Sequence, residues 1–227
     1  MDQPPRLRRK GESNAGEGSR TKKTFTFTID DREVGAEEGV TILETAKKSA
    51  IEVPTLCHNE ELEPYGACRI CSVEIEKNGR TSIVAACCYP AEPGLKVRTR
   101  SPRIDKVRKT VLELAAASAG AEVTGKMREL ASEYNADLSR FRSKTQTEPT
   151  KCILCGLCVR YCVNMTWDSA IGFVGRGAER KIVLFPEKSA ICTLCNDCHL
   201  LCPTGRITSI GPDPPIPVID DVLAGRE

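Results

Sequence analysis

Cysteine spacing carries most of the chemistry that this 227-residue chain can do. Cys152-x2-Cys155-x2-Cys158-x3-Cys162 and Cys192-x2-Cys195-x2-Cys198-x3-Cys202-Pro203 repeat a single register. Three thiolates at i, i+3 and i+6 wrap a tight loop around one [4Fe–4S] cubane, and the fourth, one turn too far along, points at a neighbouring cluster. The register therefore predicts crossed ligand sets. Cys152, Cys155, Cys158 and Cys202 would hold one cluster, and Cys192, Cys195, Cys198 and Cys162 the other. Two such clusters side by side pass single electrons.

A separate set lies upstream: Cys57-x10-Cys68-x2-Cys71, followed by the adjacent pair Cys87-Cys88. A rhombic [2Fe–2S] centre needs two thiolates on each iron, and a loop of cysteines plus one distant cysteine supplies them. Gly66 and Ala67 keep that loop small, so backbone N–H groups can approach the sulfurs and tune the potential. A CxxC pair with two further cysteines also suits structural zinc. Only one of Cys87 and Cys88 can be the fourth ligand. Four plus eight ligands leave one of the thirteen cysteines over, and the spare reads as a small buried filler.

Elements must position these residues, and the sequence marks most of them. Phe25, Phe27 and Ile29 alternate with threonines from Thr24, which predicts a half-buried strand; Asp30-Asp31 turns into a short second strand over 32–35. Thr41 and Glu44 have capping-box spacing, so a helix runs to about Ala50. Strands over 72–76 and 80–86 flank Asn78-Gly79, a hairpin signal, and Leu95–Thr99 alternates again. Ser101-Pro102 starts a helix with Ile104, Val107, Val111 and Leu114 as its packing stripe, ending near Gly120. Val123, Met127, Leu130 and Tyr134 stripe a second helix.

The expected organisation is α+β. A basic, disordered tail (1–23) precedes a [2Fe–2S] domain (24–100), and a helical spacer (101–148) joins it to a two-[4Fe–4S] domain (149–210). A Pro-rich arm (211–227) closes the chain. A net charge of +2 gives no field that would draw nucleic acid or anionic membrane. No run of about 18 apolar residues predicts a transmembrane segment, and residues 1–23 show no apolar leader. Thirteen cysteines without an export signal predict metal ligation in a reducing, cytoplasmic compartment.

VPTLCHNEELEPYGACRICSVEI, AACCYP and GLKVRT, then CILCGLCVRYC, AIGFVGRG and CTLCNDCHLLCPTG, together resemble one iron–sulfur family over about residues 24–210. That family includes the large iron–sulfur subunit of respiratory NADH dehydrogenase, the small diaphorase subunit of NAD-linked hydrogenases and the N-terminal part of NAD-linked formate dehydrogenases. The resemblance implies a β-grasp [2Fe–2S] ferredoxin-like domain followed by a two-[4Fe–4S] bacterial-ferredoxin-like domain. It also selects Cys87 as the fourth [2Fe–2S] ligand, because Pro90 stands three residues after it. The implied cofactors are one [2Fe–2S] and two [4Fe–4S] clusters. The implied partners are a flavin- and NAD(H)-binding subunit and a second redox catalytic subunit, such as a hydrogenase, a formate dehydrogenase or another low-potential reductase.

Two departures stand out. Many members carry a further [4Fe–4S] cluster held by one His and three Cys, but the matching stretch here, residues 111–141, contains neither Cys nor His. Three clusters are expected. Cys162 is followed by Val163 instead of Pro, which implies a different exit into the turn-rich insertion 164–180. His58 and His199, each beside a cysteine, read as neighbours of ligands. Gly172, Gly175 and Gly177 lack the strand–turn–helix setting of a dinucleotide loop. No catalytic constellation is present, so the chain reads as an electron-carrying subunit with no catalytic centre of its own. Two alternatives use similar cysteines: the iron–sulfur subunit of a succinate dehydrogenase or fumarate reductase, and a zinc-stabilised interaction module.

Overall fold

A computed structural model describes residues 23–120, 122–141, 150–166, 169–185, 187, 195 and 197–207. The expected tail up to residue 22, residues 142–149 at the end of the expected spacer, the Pro-rich arm and Cys192 lie outside the described residues.

The alternating Phe27 and Ile29 face inward on β1 (Thr24–Ile29), which pairs antiparallel with β2 (Arg32–Glu37). The turn between them sets Asp30 and Asp31 at positive φ. The Asp30 carboxylate accepts from the Thr99 backbone N–H at 2.7 Å and so ties the turn to the far end of the domain. Thr41 caps α1 (Ile42–Lys48), with both halves of the capping box made to Glu44. Asn78 and Gly79, both at positive φ, close the hairpin of β3 (Ser72–Lys77) and β4 (Arg80–Ala85). Strand β5 (Lys96–Arg98) fits between β1, to which it is parallel, and β3. The resulting five-stranded mixed sheet has the order β2-β1-β5-β3-β4. Ile42, Leu43 and Ala46 of α1 close its core over Phe27, Ile29, Val73, Ile75 and Val97. This is the β-grasp arrangement.

Ser101 accepts from the Ile104 N–H and starts α2 (Pro102–Ala119); α3 (Gly125–Glu133) follows. Val123, Met127, Leu130 and Tyr134 are buried as expected. The α2 stripe is rotated from the expected one: Ile104 is buried and Val111 packs against the core as expected, but Leu114 faces out. Ile104, Arg108, Leu112, Ala116 and Ala119 face inward, while Leu114 is 53% exposed. A row at i, i+4, i+8 and i+12 meets the domain, and Arg108 belongs to it despite its charge. The buried face packs on Leu56 and Ile70, on either side of the cysteine loop, and on α3.

The second cysteine region has shorter elements. Gly156, left-handed at φ 72°, leads into α4 (Leu157–Tyr161), which runs into a π-helical turn at Cys162–Thr166. The insertion expected to be turn-rich contains a β-hairpin, β6 (Ile171–Val174) with β7 (Lys181–Leu184). Gly175 sits at φ 71°, and a Cβ there would lie 2.5 Å from the Glu179 carbonyl oxygen, so the bend requires glycine. Among the described residues no helix is long and apolar enough to cross a membrane.

Candidate iron–sulfur centres

Cys57, Cys68, Cys71 and Cys87 meet at one end of the sheet. Cys71 immediately precedes β3, Cys87 follows β4, and hairpin pairing brings those strand ends together: the Ala86 N–H donates to the Cys71 carbonyl. The Cys71 and Cys87 sulfurs are 3.3 Å apart and share a hydrogen bond. Cys57 receives the Cys68 backbone N–H at 3.4 Å, and its sulfur is also hydrogen-bonded to the Cys68 thiol.

The four thus stand as two hydrogen-bonded pairs. Hydrogen bonding from Cys68 lowers Cys57 to about 6, while the same bond raises Cys68. Hydrogen bonding with Cys87 lowers Cys71 to about 7, and Cys87 is pushed up in turn. Two sulfurs on one tetrahedral metal at bonds of about 2.3 Å stand about 3.8 Å apart. The Cys71–Cys87 pair, at 3.3 Å, is close to the spacing that two thiolates on one iron demand, and the donor set fits a rhombic centre. Cys88 does not fill the core as expected. It is exposed, with its sulfur 3.5 Å from that of Cys87, because the turn after β4 sends consecutive side chains to opposite sides. A Cβ on Gly66, at φ 66°, would meet the Cys88 sulfur at 2.8 Å, so the loop needs glycine there.

The crossed set Cys152, Cys155, Cys158 and Cys202 lines one cavity, with Ile153, Leu157, Ile182, Pro203 and Ile207 as its apolar walls. Fifty residues of sequence separate Cys202 from Cys152, and the fold brings them to one space. Burial pushes Cys155 up to about 12 and Cys158 well above its ordinary value. Bare thiols stay protonated in such surroundings, and a cation's charge is needed to ionise them. Buried soft sulfur donors around an apolar space fit a cubane. Of the other set, Cys162 and Cys198 pack in one cluster with Ile171 and Leu184 of the hairpin. The Ala170 N–H donates to the Cys162 sulfur at 3.2 Å. Cys195 lies near Cys162, and Cys192 falls outside the described residues.

The two regions touch through these cysteines. Cys57, Leu62, Cys155 and Leu157 form one buried apolar cluster. Arg160 reaches across from α4 and donates to the Cys57 carbonyl at 2.7 Å and the Glu63 carbonyl at 2.7 Å, with its guanidinium 5.1 Å over the Tyr65 ring. Arg108 is fully buried and donates to the carbonyls of Ile70 (3.2 Å) and Ser72 (2.9 Å), on either side of Cys71, and to the Tyr134 hydroxyl (2.9 Å). It locks the ligand loop to the helical pair. Neither arginine is marked by sequence pattern, since an arginine on a helix reads as solvent-facing. The one available signal is Arg108 falling on the i+4 row through Ile104 and Leu112.

Comparison with known proteins agrees with this geometry. Residues 22–102 match the 2Fe-2S iron-sulfur cluster binding domain family, and residues 143–208 match the NADH-quinone oxidoreductase subunit 3, ferredoxin-like domain family. The chain is 30% identical over 206 residues to the mitochondrial NADH-ubiquinone oxidoreductase 78 kDa subunit of Neurospora crassa, covering 81% of this chain and 27% of that protein. It is 31% identical over 203 residues to NADPH-Fe(3+) oxidoreductase subunit alpha of Geobacter sulfurreducens, covering 81% of this chain and 24% of that one. The chain thus spans about a quarter of the length of these curated relatives. A chain in the crystal structure of NAD+-reducing [NiFe]-hydrogenase in the H2-reduced state superposes with a TM-score of 0.62 at 32% identity, covering 70% of this chain and 74% of that chain. The chain belongs to the iron–sulfur family shared by NADH-quinone oxidoreductases and NAD-reducing hydrogenases, here with neither Cys nor His between Cys88 and Cys152.

Proposed function

We propose that this chain is an electron-transfer subunit of a multi-subunit NAD(P)-linked oxidoreductase. It would connect a flavin- and NAD(H)-binding subunit with a second redox catalytic subunit, and have no catalytic centre of its own. The observation that carries the reading is the buried contact between Cys57 and Cys155 through Leu62 and Leu157, a dry junction between two cofactor sites. Both domain matches and the relatives, which are named as oxidoreductase subunits, support it.

In this reading Cys57, Cys68, Cys71 and Cys87 hold one [2Fe–2S] cluster. Cys152, Cys155, Cys158 and Cys202 hold one [4Fe–4S] cluster, and Cys192, Cys195, Cys198 and Cys162 a second. Clusters of these types supply one-electron uptake and release over a wide range of potentials. The chain's residues do the rest. The Cys68 N–H and the Ala170 N–H donate to the Cys57 and Cys162 sulfurs, which sets backbone donors against the ligand atoms. Arg108 and Arg160 fix the backbone around Cys71 and Cys57. Leu62, Leu157, Leu184 and Ile207 keep water away. The domain limits proposed are 24–100, 101–148 and 149–210, and the expected compartment is the reducing cytoplasm.

Purification of the native assembly through a tag on this chain tests the proposal. A flavoprotein should co-purify, and NADH or NADPH should bleach the iron–sulfur absorbance of the assembly but not of the isolated chain. An assembly with no flavin, or a colourless chain carrying zinc, contradicts it.

A further inference from the structure

Three arginines reach the cysteine sites, and they end differently. Arg108 spends its donors on two carbonyls and a phenol. Arg160 spends both terminal nitrogens on the carbonyls of Glu63 and Cys57. Arg206 makes one bond, from Nη1 to the Thr150 carbonyl. Its Nε is buried with no hydrogen-bond partner among the described residues. Arg160 also leaves Nε unpartnered, but Arg206 is the one that lines the cavity of Cys152, Cys155, Cys158 and Cys202. No ion pair joins it to any carboxylate among the described residues.

A cation without a counter-charge and a buried N–H without an acceptor are both unfavourable. One anion with acceptor atoms in the adjoining cavity relieves both. A cluster held by four thiolates is such an anion, and its sulfurs accept N–H bonds. Taking up an electron makes it more negative, so a fixed cation beside it favours the reduced form. We propose that Arg206 is the charge-compensating N–H donor to the cluster of Cys152, Cys155, Cys158 and Cys202, and holds that cluster's reduction potential above its neighbour's. The inference rests on the proposed pair of [4Fe–4S] clusters.

The other site has the opposite charge nearby. Asp197 stands between Cys195 and Cys198 in the chain, which sets a carboxylate beside the second ligand set, whereas Arg206 sets a guanidinium in the cavity of the first. Asp197 is exposed, so solvent weakens its effect and Arg206 contributes the larger share of the difference. The result is a relay whose higher-potential [4Fe–4S] cluster is the one packed against Cys57. Sequence spacing alone treats the two runs as equivalent; the arginine breaks that symmetry.

Arg206 acts on the cluster's potential as a positioning and charge-compensating residue, and the readout is that potential. The full-length chain with its clusters is titrated electrochemically and followed by electron paramagnetic resonance, as wild type, Arg206→Met, Arg206→Lys and Asp197→Asn. In R206M the higher [4Fe–4S] midpoint should fall while the other [4Fe–4S] and the [2Fe–2S] midpoints stay in place. R206K, which keeps the charge, should restore most of the loss. D197N should raise only the lower [4Fe–4S] midpoint. Unmoved midpoints in R206M, or equal shifts of both [4Fe–4S] midpoints, overturn the proposal. Should R206M lose iron, R206K and D197N decide: a fall of the R206K higher midpoint as large as the gap to its neighbour, or a D197N shift in the higher midpoint, overturns it. Wild-type protein without two [4Fe–4S] signals defeats the underlying functional reading instead.

Discussion

The front and rear cysteine sites solve one problem with different scaffolds. The front site hangs from a five-stranded sheet whose core is mostly aliphatic and aromatic, built on Phe27, Ile29, Leu43, Val73, Ile75 and Val97 with Cys71 and Cys87 as its two buried cysteines. Its thiols already stand in hydrogen-bonded pairs. The rear site has a five-residue helix and a two-stranded hairpin, and its core counts Cys158, Cys162 and Cys198 among its buried members. A small core in which ligands are three of eight buried residues depends on what they bind far more than the large front core does, since metal-binding free energy there is folding free energy. The front domain should keep its fold without iron; the rear should not.

The harshest test of that contrast is removal of iron by an anaerobic chelator, followed by amide hydrogen exchange. Residues 24–99 should keep most of their protection, while 150–207 should lose it by several orders of magnitude. Equal protection in both would end the comparison. Next in size, Cys202→Ala should remove about four irons per chain and leave the [2Fe–2S] signal intact. Because the fold carries Cys202 to the cavity of Cys152, Cys155 and Cys158, the lost cluster should be theirs. Survival of that cluster would refute the crossed ligand sets.

Arg108→Met sharpens the front half. It strips the partner from the Ile70 and Ser72 carbonyls and the Tyr134 hydroxyl, and should cost about 2–4 kcal/mol in denaturant unfolding. Ser101→Ala removes only the cap of α2 and should cost about 1 kcal/mol. The smallest effect belongs to Cys88→Ser. With Cys88 exposed, iron content should hold and stability should stay within about 0.5 kcal/mol, whereas Cys87→Ser should lose the [2Fe–2S] centre. Iron loss from C88S would reverse the choice between the two neighbours.

What could be read from the chain was local. The Thr41–Glu44 capping box, the Ser101 cap and the Asn78-Gly79 turn each depend on residues three or fewer apart, and each forms as expected. The cysteine sets were legible because metal geometry fixes their spacing. Direction was not. Whether Leu114 or Arg108 faces inward is decided by what α2 packs against, and the sheet end with its bare carbonyls at Ile70 and Ser72 favours the guanidinium. The β6–β7 hairpin was hidden by the six residues between its strands and by glycines that read as loop. The arginines at Cys57 and Cys152 carry no pattern, and Arg108 only its place on the i+4 row of α2, since their partners are mostly backbone carbonyls supplied by distant loops.

The central claim is a three-centre relay, one rhombic and two cubane, whose front and rear sites are joined by a helical pair with neither Cys nor His. Mössbauer spectroscopy of the iron-57-labelled full-length chain measures this directly, because it counts iron by cluster type. The account predicts about ten irons per chain, with one fifth in [2Fe–2S] and four fifths in [4Fe–4S] environments. A third [4Fe–4S] centre, or zinc in place of iron at any of the three sites, would contradict it.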